Sequence, residues 1–239
     1  HFVSETGYHG CPSLESIKKF ITPERVWPYH NNPEWILHSS DQSGNDARVM
    51  LMEKQVRQLF GRVPTDPEDY ILASQISQAE AKKYFIERIR VKRPDKTGII
   101  WWNLLDGWPQ MSDAVVDYYF TKKLAYSYIK RSQAPFVIAA DEISNWHLPI
   151  YACNDTLTAK SGSLRVKNGS TDEVVYECDF CAEANTSTLI ARLPVMYSDK
   201  KILIFEWEIC GEKGYNHYVL GTPPLSLDGY REIMERYGF

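Results

Sequence analysis

A carboxylate at the end of a buried strand is positioned for chemistry, because the loops there can build a pocket while the strand holds the side chain still. Glu5 has that placing. It follows the apolar run Phe2-Val3-Ser4 and precedes Thr6-Gly7-Tyr8-His9-Gly10, whose glycines permit tight turns. On pattern alone it also reads as a strand-end glutamate facing solvent. Tyr8 and His9 are further pocket candidates, although a histidine beside a strand end more often completes hydrogen bonds than shuttles protons. Cys178-Asp179-Phe180-Cys181 carries half of a zinc spacing. The other half is missing, and residues three apart on a strand point to opposite faces, so the pair reads as structural and no metal or cofactor is expected.

The elements that would hold Glu5 change character along the chain. Phe2-Val3-Ser4 and Gly98-Ile99-Ile100-Trp101-Trp102-Asn103-Leu104-Leu105 are continuous apolar runs, as in parallel strands covered on both faces. Between them, Val49, Met52, Val56, Leu59 and Phe60 predict a helix capped by Asn45 or Asp46 and stopped at Gly61. Leu72, Ile76, Ala79, Ile86 and Ile89 predict a longer helix from Tyr70 to about Val91, closed by Pro94. Thr121 to Ala134 predicts another, ended by Pro135. This is the rhythm of a βα barrel or a doubly wound sheet.

From Phe136 onward the period becomes two. Segments 136–140, 147–153, 163–167, 173–181, 188–193, 201–209 and 216–220 alternate, with turns at Asn168-Gly169-Ser170 and Gly211-Glu212-Lys213-Gly214. Leu203, Phe205, Trp207 and Ile209 fall on one face, Glu206 and Glu208 on the other. Seven short strands in about a hundred residues predict an antiparallel β-sandwich, with a boundary near Pro135. Trp146 and Tyr151 could form a sugar-binding face, but isolated aromatics in a β-sandwich usually pack in the core, and they read as core aromatics.

The whole chain has 239 residues, 44% of them hydrophobic, and a formal charge of −4 from 27 Lys and Arg against 31 Asp and Glu. That composition excludes disorder, collagen and coiled coil. No basic block recommends a nucleic acid, and no apolar run reaches the roughly 18 residues of a membrane span. The odd count of five cysteines argues against a disulfide framework and for small buried hydrophobes. The chain begins at His1 with no charged-then-apolar leader, so its start reads as a processing site or a cut in a longer protein.

Phe2-Val3-Ser4-Glu5-Thr6-Gly7 resembles the nucleophile segment of glycoside hydrolase family 2, in particular its β-mannosidase-like members, where Phe-x-Ser-Glu-aromatic-Gly ends the seventh barrel strand. Leu72-Ala73-Ser74-Gln75-Ile76-Ser77-Gln78-Ala79-Glu80 is similar to the helix before the eighth strand. Trp101-Trp102-Asn103-Leu104-Leu105-Asp106-Gly107-Trp108-Pro109 is similar to that strand and its loop. Asp117-Tyr118-Tyr119 and Lys122-Lys123-Leu124-Ala125-Tyr126 look like the final barrel helix. Ile150-Tyr151-Ala152-Cys153-Asn154-Asp155-Thr156 resembles a strand end of the family's C-terminal immunoglobulin-like domain.

The resemblance implies a multidomain α/β plus all-β chain: residues 1–135 as the end of a (β/α)8 TIM barrel and 136–239 as an immunoglobulin-like sandwich. It implies a retaining glycosidase, in which one carboxylate attacks the anomeric carbon while an acid about 5 to 5.5 Å away protonates the leaving oxygen. Glu5 matches the nucleophile. The acid belongs to an upstream strand outside these residues, so the chain alone is expected to be inactive and the remainder of the barrel is an expected partner, beside a β-linked glycan. Trp102 matches an aromatic against the first sugar, whose apolar C–H face such a plate can bury. Asn103 is a hydroxyl-binding candidate. Asp106 can bind a sugar hydroxyl or cap its loop, Glu80 is expected to make a structural hydrogen bond, and Trp108-Pro109 is expected to shape the loop. Thr6 departs from the family's aromatic and alters the pocket wall. The competing reading is a non-catalytic carbohydrate-binding or structural module.

Overall fold

The computed structural model describes residues 1–39 and 47–239. The first strand, β1 (Phe2–Gly7), pairs in parallel with β2 (Gly98–Trp102), and the chain between them is helical. Short helices α1 (Leu14–Ile17) and α2 (Pro33–Leu37) lead to α3 (Ala47–Phe60) and to the 25-residue α4 (Pro67–Val91). The proposed caps of α3, Asn45 and Asp46, lie outside the described residues. Helix α4 begins three residues before the hydrophobic spacing suggested, because Asp66 caps it: its carboxylate accepts from the Glu68 and Asp69 amides at 2.9 and 3.1 Å, with Pro67 at the first position. Glu68 and Asp69 in the first turn and Arg88 and Arg90 in the last complement the helix dipole. Helix α5 (Leu124–Ser132) follows β2 after a long loop and packs along α4.

The second half forms two antiparallel sheets. One contains β3 (Phe136–Ala140), β4 (His147–Asn154) and β7 (Thr186–Pro194). The other contains β5 (Lys160–Asn168), β6 (Val174–Ala182), β8 (Lys201–Ile209) and β9 (Glu212–Leu220), in the order β6-β5-β8-β9. Ile138, Leu148, Ile150 and Leu193 of the first sheet share a core with Leu164, Val166, Phe180, Leu203 and Phe205 of the second. The predicted four-residue turn at 211–214 is tighter: Ile209 pairs with Glu212, leaving Cys210 and Gly211 at positive φ, 51° and 85°, as the hairpin turn.

Like the short α1 and α2, the terminal helix α6 (Leu227–Tyr237) had no expectation in the sequence. Ser226 caps it and Gly238 ends it at φ 71°. Its buried residues Leu227, Tyr230 and Ile233 pack with Ile202 and Ile204 of β8 and with the helical core that includes Tyr70, Ile76 and Tyr128. Strand β8 is therefore covered on both faces at its start, and the alternation at Leu203 and Phe205 is interrupted by the buried Ile202 and Ile204 on the other face. Two further expectations change. Trp146 is 57% exposed, edge-on to Tyr197 at 4.8 Å, because it sits in the loop before β4 and not on a strand face. Among the cysteines, Cys11 and Cys153 are buried, Cys178 is half-buried, and Cys181 and Cys210 are exposed.

Polar groups join the halves where α4 passes the sheets. Arg90 donates to the Ala134 carbonyl at 2.8 Å and to Asp155 at 3.1 Å. Glu87 pairs with Lys83 at 2.7 Å and accepts from Asn216 of β9 at 2.8 Å. Glu80 accepts from His217 of β9 at 2.5 Å and from the Tyr230 hydroxyl of α6. The other ring nitrogen of His217 faces an Arg131 guanidinium nitrogen at 3.2 Å, which requires Nδ1 to accept and leaves a neutral ring whose Nε2 donates to Glu80. Burial pushes His217 down against the opposing pull of Glu80. Burial alone would raise Glu80, but His217, Lys83 and the hydrogen bonds hold it below the usual carboxylate range.

Both groups bind fewer protons folded than unfolded, so their stabilisation is present above about pH 6.5 for His217 and above about pH 4.5 for Glu80, and is lost as pH falls through the depressed folded values. The urea midpoint should therefore decline from pH 6.5 toward pH 4 and further below it. The double variant Glu80→Gln/His217→Gln should show a shallower decline, and an identical slope would refute the assignment.

Candidate active site

The two parallel strands present one face to the helices and one to solvent. Val3 pairs with Ile99 and Thr6 with Trp101, and Ile99 and Trp101 pack against the helical core. On the opposite face Phe2, Ile100, Trp102 and Leu104 are all more than half exposed. Between the Val3 and Thr6 pairs the register shifts, so Ser4 and Glu5 together oppose the single residue Ile100. Such a bulge re-aims side chains and is frequent beside functional sites. Glu5 is exposed at this bulge, and Trp102, 52% exposed, stands on the neighbouring strand opposite Gly7.

Glu5 and Trp102 are thus brought to the C-terminal ends of adjacent strands. Asn103 follows directly, half-buried. Its side chain donates to the Leu105 carbonyl at 3.4 Å and its carbonyl accepts from Val115 at 3.2 Å. Asp106 is separated from them: it is 3% exposed, and Oδ1 accepts from Ser112 at 2.6 Å and Gln110 at 2.7 Å. Burial raises its pKa, opposed by Lys123 and these donors. Trp108 and Pro109 are held by His38 at the end of α2, whose ring lies 5.2 Å from Trp108 and 2.7 Å from the Pro109 carbonyl. The loop satisfies much of its backbone internally, through Asp106 to Val116, Val116 to Leu104 and Lys123 to Val115.

Beneath these loops lies a set of buried polar side chains. Ser74, Gln78 and Lys82 of α4 are four residues apart and share one helix face. Ser74 accepts from the Cys11 amide at 3.1 Å. The Gln78 amide donates to Tyr8 at 3.0 Å, Asp113 at 3.1 Å and Ala114 at 3.3 Å, bridging the loop after β1 to the loop after β2. Lys82 donates to the Trp102 carbonyl. Lys123, 2% exposed, donates to Gly10 at 2.8 Å and Ser112 at 3.3 Å. Burial pushes Lys82 down to about 8 against the attraction of Asp113, and pushes Lys123 down against the attraction of Asp106 and Asp117.

Of the other candidates, Tyr8 turns toward Phe85, ring centroids 6.4 Å apart. His9 is buried and its Nδ1 lies 3.1 Å from Asp113 Oδ1. Asp113 sits against the strand end: a Cβ on Gly7 would lie 2.8 Å from its Oδ1. Sequence reasoning passed over Asp113, Gln78 and Lys82. The available signal was the polar stripe 74-78-82 on a helix whose apolar residues already marked it as buried.

No family model matches the chain. It is 30% identical over 154 residues to beta-mannosidase B of Thermothelomyces thermophilus, covering 61% of this chain and 17% of that protein. It is 28% identical over 130 residues to the exo-beta-D-glucosaminidase of Arthroderma benhamiae, covering 52% of this chain and 15% of that one. Among solved structures, the beta-D-mannosidase of Dictyoglomus thermophilum superposes with a TM-score of 0.81 at 25% identity, over 94% of this chain and 28% of that chain. The chain therefore spans less than a fifth of the length of these curated relatives.

Gln78→Leu strands several buried carbonyls at once. It should cost about 1–3 kcal/mol in urea unfolding and speed amide hydrogen exchange at residues 8–10 and 112–114. Unchanged exchange there would show that the amide does not tie the loops.

Proposed function

We propose, from the premise that this chain is related in sequence and fold to the β-mannosidase-like branch of glycoside hydrolase family 2, that it contributes the nucleophile of a retaining exo-β-glycosidase. In this reading residues 1–135 are the closing strands and helices of a (β/α)8 barrel and 136–239 an immunoglobulin-like sandwich. Glu5 attacks the anomeric carbon of the terminal sugar. The observation that supports the proposal is the bulge at Ser4 and Glu5, where Glu5 is exposed on the strand paired with the one that ends in the exposed Trp102.

Attack requires an ionised carboxylate on one side of the sugar and a protonated acid on the other. The leaving oxygen takes the acid's proton as the carboxylate–sugar bond forms, and water then releases the sugar by the reverse proton path. Trp102 buries one apolar face of the ring, and Asn103 meets its hydroxyls. Asp106 is assigned to the loop: reaching a sugar would cost it both hydrogen bonds that now hold its carboxylate. The acid comes from the remainder of the barrel in the parent protein. The exposed Phe2, Ile100 and Leu104 are inner-wall residues covered by those other strands, since apolar patches of this kind mark an interaction surface.

The isolated chain should not hydrolyse an aryl β-mannoside. The full-length parent should, and Glu5→Gln in the parent should lower kcat on the order of a thousandfold or more. A fluorinated glycosyl inactivator should label Glu5; an adduct on a different residue would overturn the proposal.

A further inference from the structure

We propose that Asp113 is a specificity-determining residue of this site, its carboxylate taking a hydrogen bond from the terminal sugar; the inference rests on Glu5 being the nucleophile. Gly7 pairs with Trp102 on the exposed strand face, so a side chain at position 7 would project where Trp102 does. Gly7 has none, and Asp113 takes that space, its Oδ1 2.8 Å from where a Cβ would be. Gly7 lies two residues beyond Glu5, about 6.6 Å along a strand. A sugar with its anomeric carbon at Glu5 and one face on Trp102 therefore extends its far side toward Asp113.

The carboxylate is pre-positioned rather than mobile. His9, 3% exposed, holds Oδ1 from 3.1 Å, and Gln78 holds the Asp113 backbone carbonyl from 3.1 Å. The side chain is still 16% exposed, so it is held by a buried partner and remains accessible, as a recognition group needs to be. A carboxylate only accepts hydrogen bonds, and those to a charged acceptor are about twice as strong as neutral ones. Asp113 therefore selects sugars with a donor at that position. A ring hydroxyl and a ring ammonium both qualify, and the choice separates a neutral sugar from an amino sugar.

The test uses the full-length parent with aryl β-D-mannoside and aryl β-D-glucosaminide, comparing the parent, Asp113→Asn, Asp113→Ala and Glu5→Gln. Asp113→Ala should lower kcat/KM on the preferred substrate about ten- to a hundredfold, and because it also removes the partner of buried His9 its thermal midpoint should fall, whereas Asp113→Asn should keep a partner for His9. If Asp113→Asn retains most activity, the donor is a hydroxyl. If it falls as far as Asp113→Ala and only the glucosaminide is affected, the donor is an ammonium.

Should Asp113→Ala misfold, Asp113→Asn is assayed on substrates lacking one ring hydroxyl at a time. A hydroxyl whose removal costs the parent enzyme about tenfold and the variant little is the partner; equal costs in both enzymes at every position overturn the role of Asp113. Unchanged kcat/KM and unchanged mannoside-to-glucosaminide preference in both Asp113 variants, with Glu5→Gln inactive, also overturn it while leaving the nucleophile in place. Full turnover by Glu5→Gln overturns the nucleophile instead.

Discussion

A polar group taken out of water must find a partner inside the protein, and helix α4 carries more of this obligation than any other element. It is buried along most of its length, yet Ser74, Gln78, Lys82, Lys83, Glu87 and Arg90 are all buried on it. Each lost hydrogen bond to water would cost about 1–3 kcal/mol if unreplaced, and more for the charges. The replacements are what organise the molecule. Ser74, Gln78 and Lys82 meet the loops beyond β1 and β2, while Glu80, Glu87 and Arg90 meet α5, α6 and the sheets. A single helix thereby sets the position of the strand ends relative to the second half.

Two lysines under one set of loops carry a desolvation penalty that needs compensation. Lys82 and Lys123 each meet backbone carbonyls, and Asp113, Asp106 and Asp117 lie within electrostatic reach. An ammonium offers three donors, and Lys123, like the Gln78 amide, gathers carbonyls from both loops, Gly10 from one and Ser112 from the other. The strand ends that carry Glu5 and Trp102 consequently rest on a floor of buried, hydrogen-bonded side chains. The opposite side of the same strands is bare. Phe2, Ile100, Trp102 and Leu104 form an apolar face of the kind that soluble proteins cover.

Much of the architecture was legible in hydrophobic period. Strands 136–140 and 201–209 have the bounds read from the sequence, and α4 ends at Val91, three residues before Pro94. What escaped has physical reasons. Helix α6 carries Leu227, Tyr230, Ile233, Met234 and Tyr237 at helical spacing behind the Ser226 cap, but what that face packs against, Ile202 and Ile204 of β8 among others, is set only by the fold. Trp146 was misplaced because a large aromatic beside a strand reads as core whether or not its backbone lies on the pleat. Asp106 and Asp113 illustrate the limit at the site. They lie seven residues apart on one irregular loop, where no periodicity tells which carboxylate turns inward and which lies against the strand end.

The amino-acid sequence by itself determined the two kinds of architecture, the placing of a glutamate after an apolar strand and the aromatic pair on the next strand, because these follow from local spacing and residue type. The tertiary structure alone decided that Glu5 sits on a bulge, that Trp102 and not Trp101 faces outward beside it, that α4 supplies the donors beneath, and that Asp113 fills the space left by Gly7. Those outcomes depend on which segments meet across a hundred residues of chain. Burial and hydrogen-bond satisfaction are properties of that meeting, and no short window of sequence contains both partners.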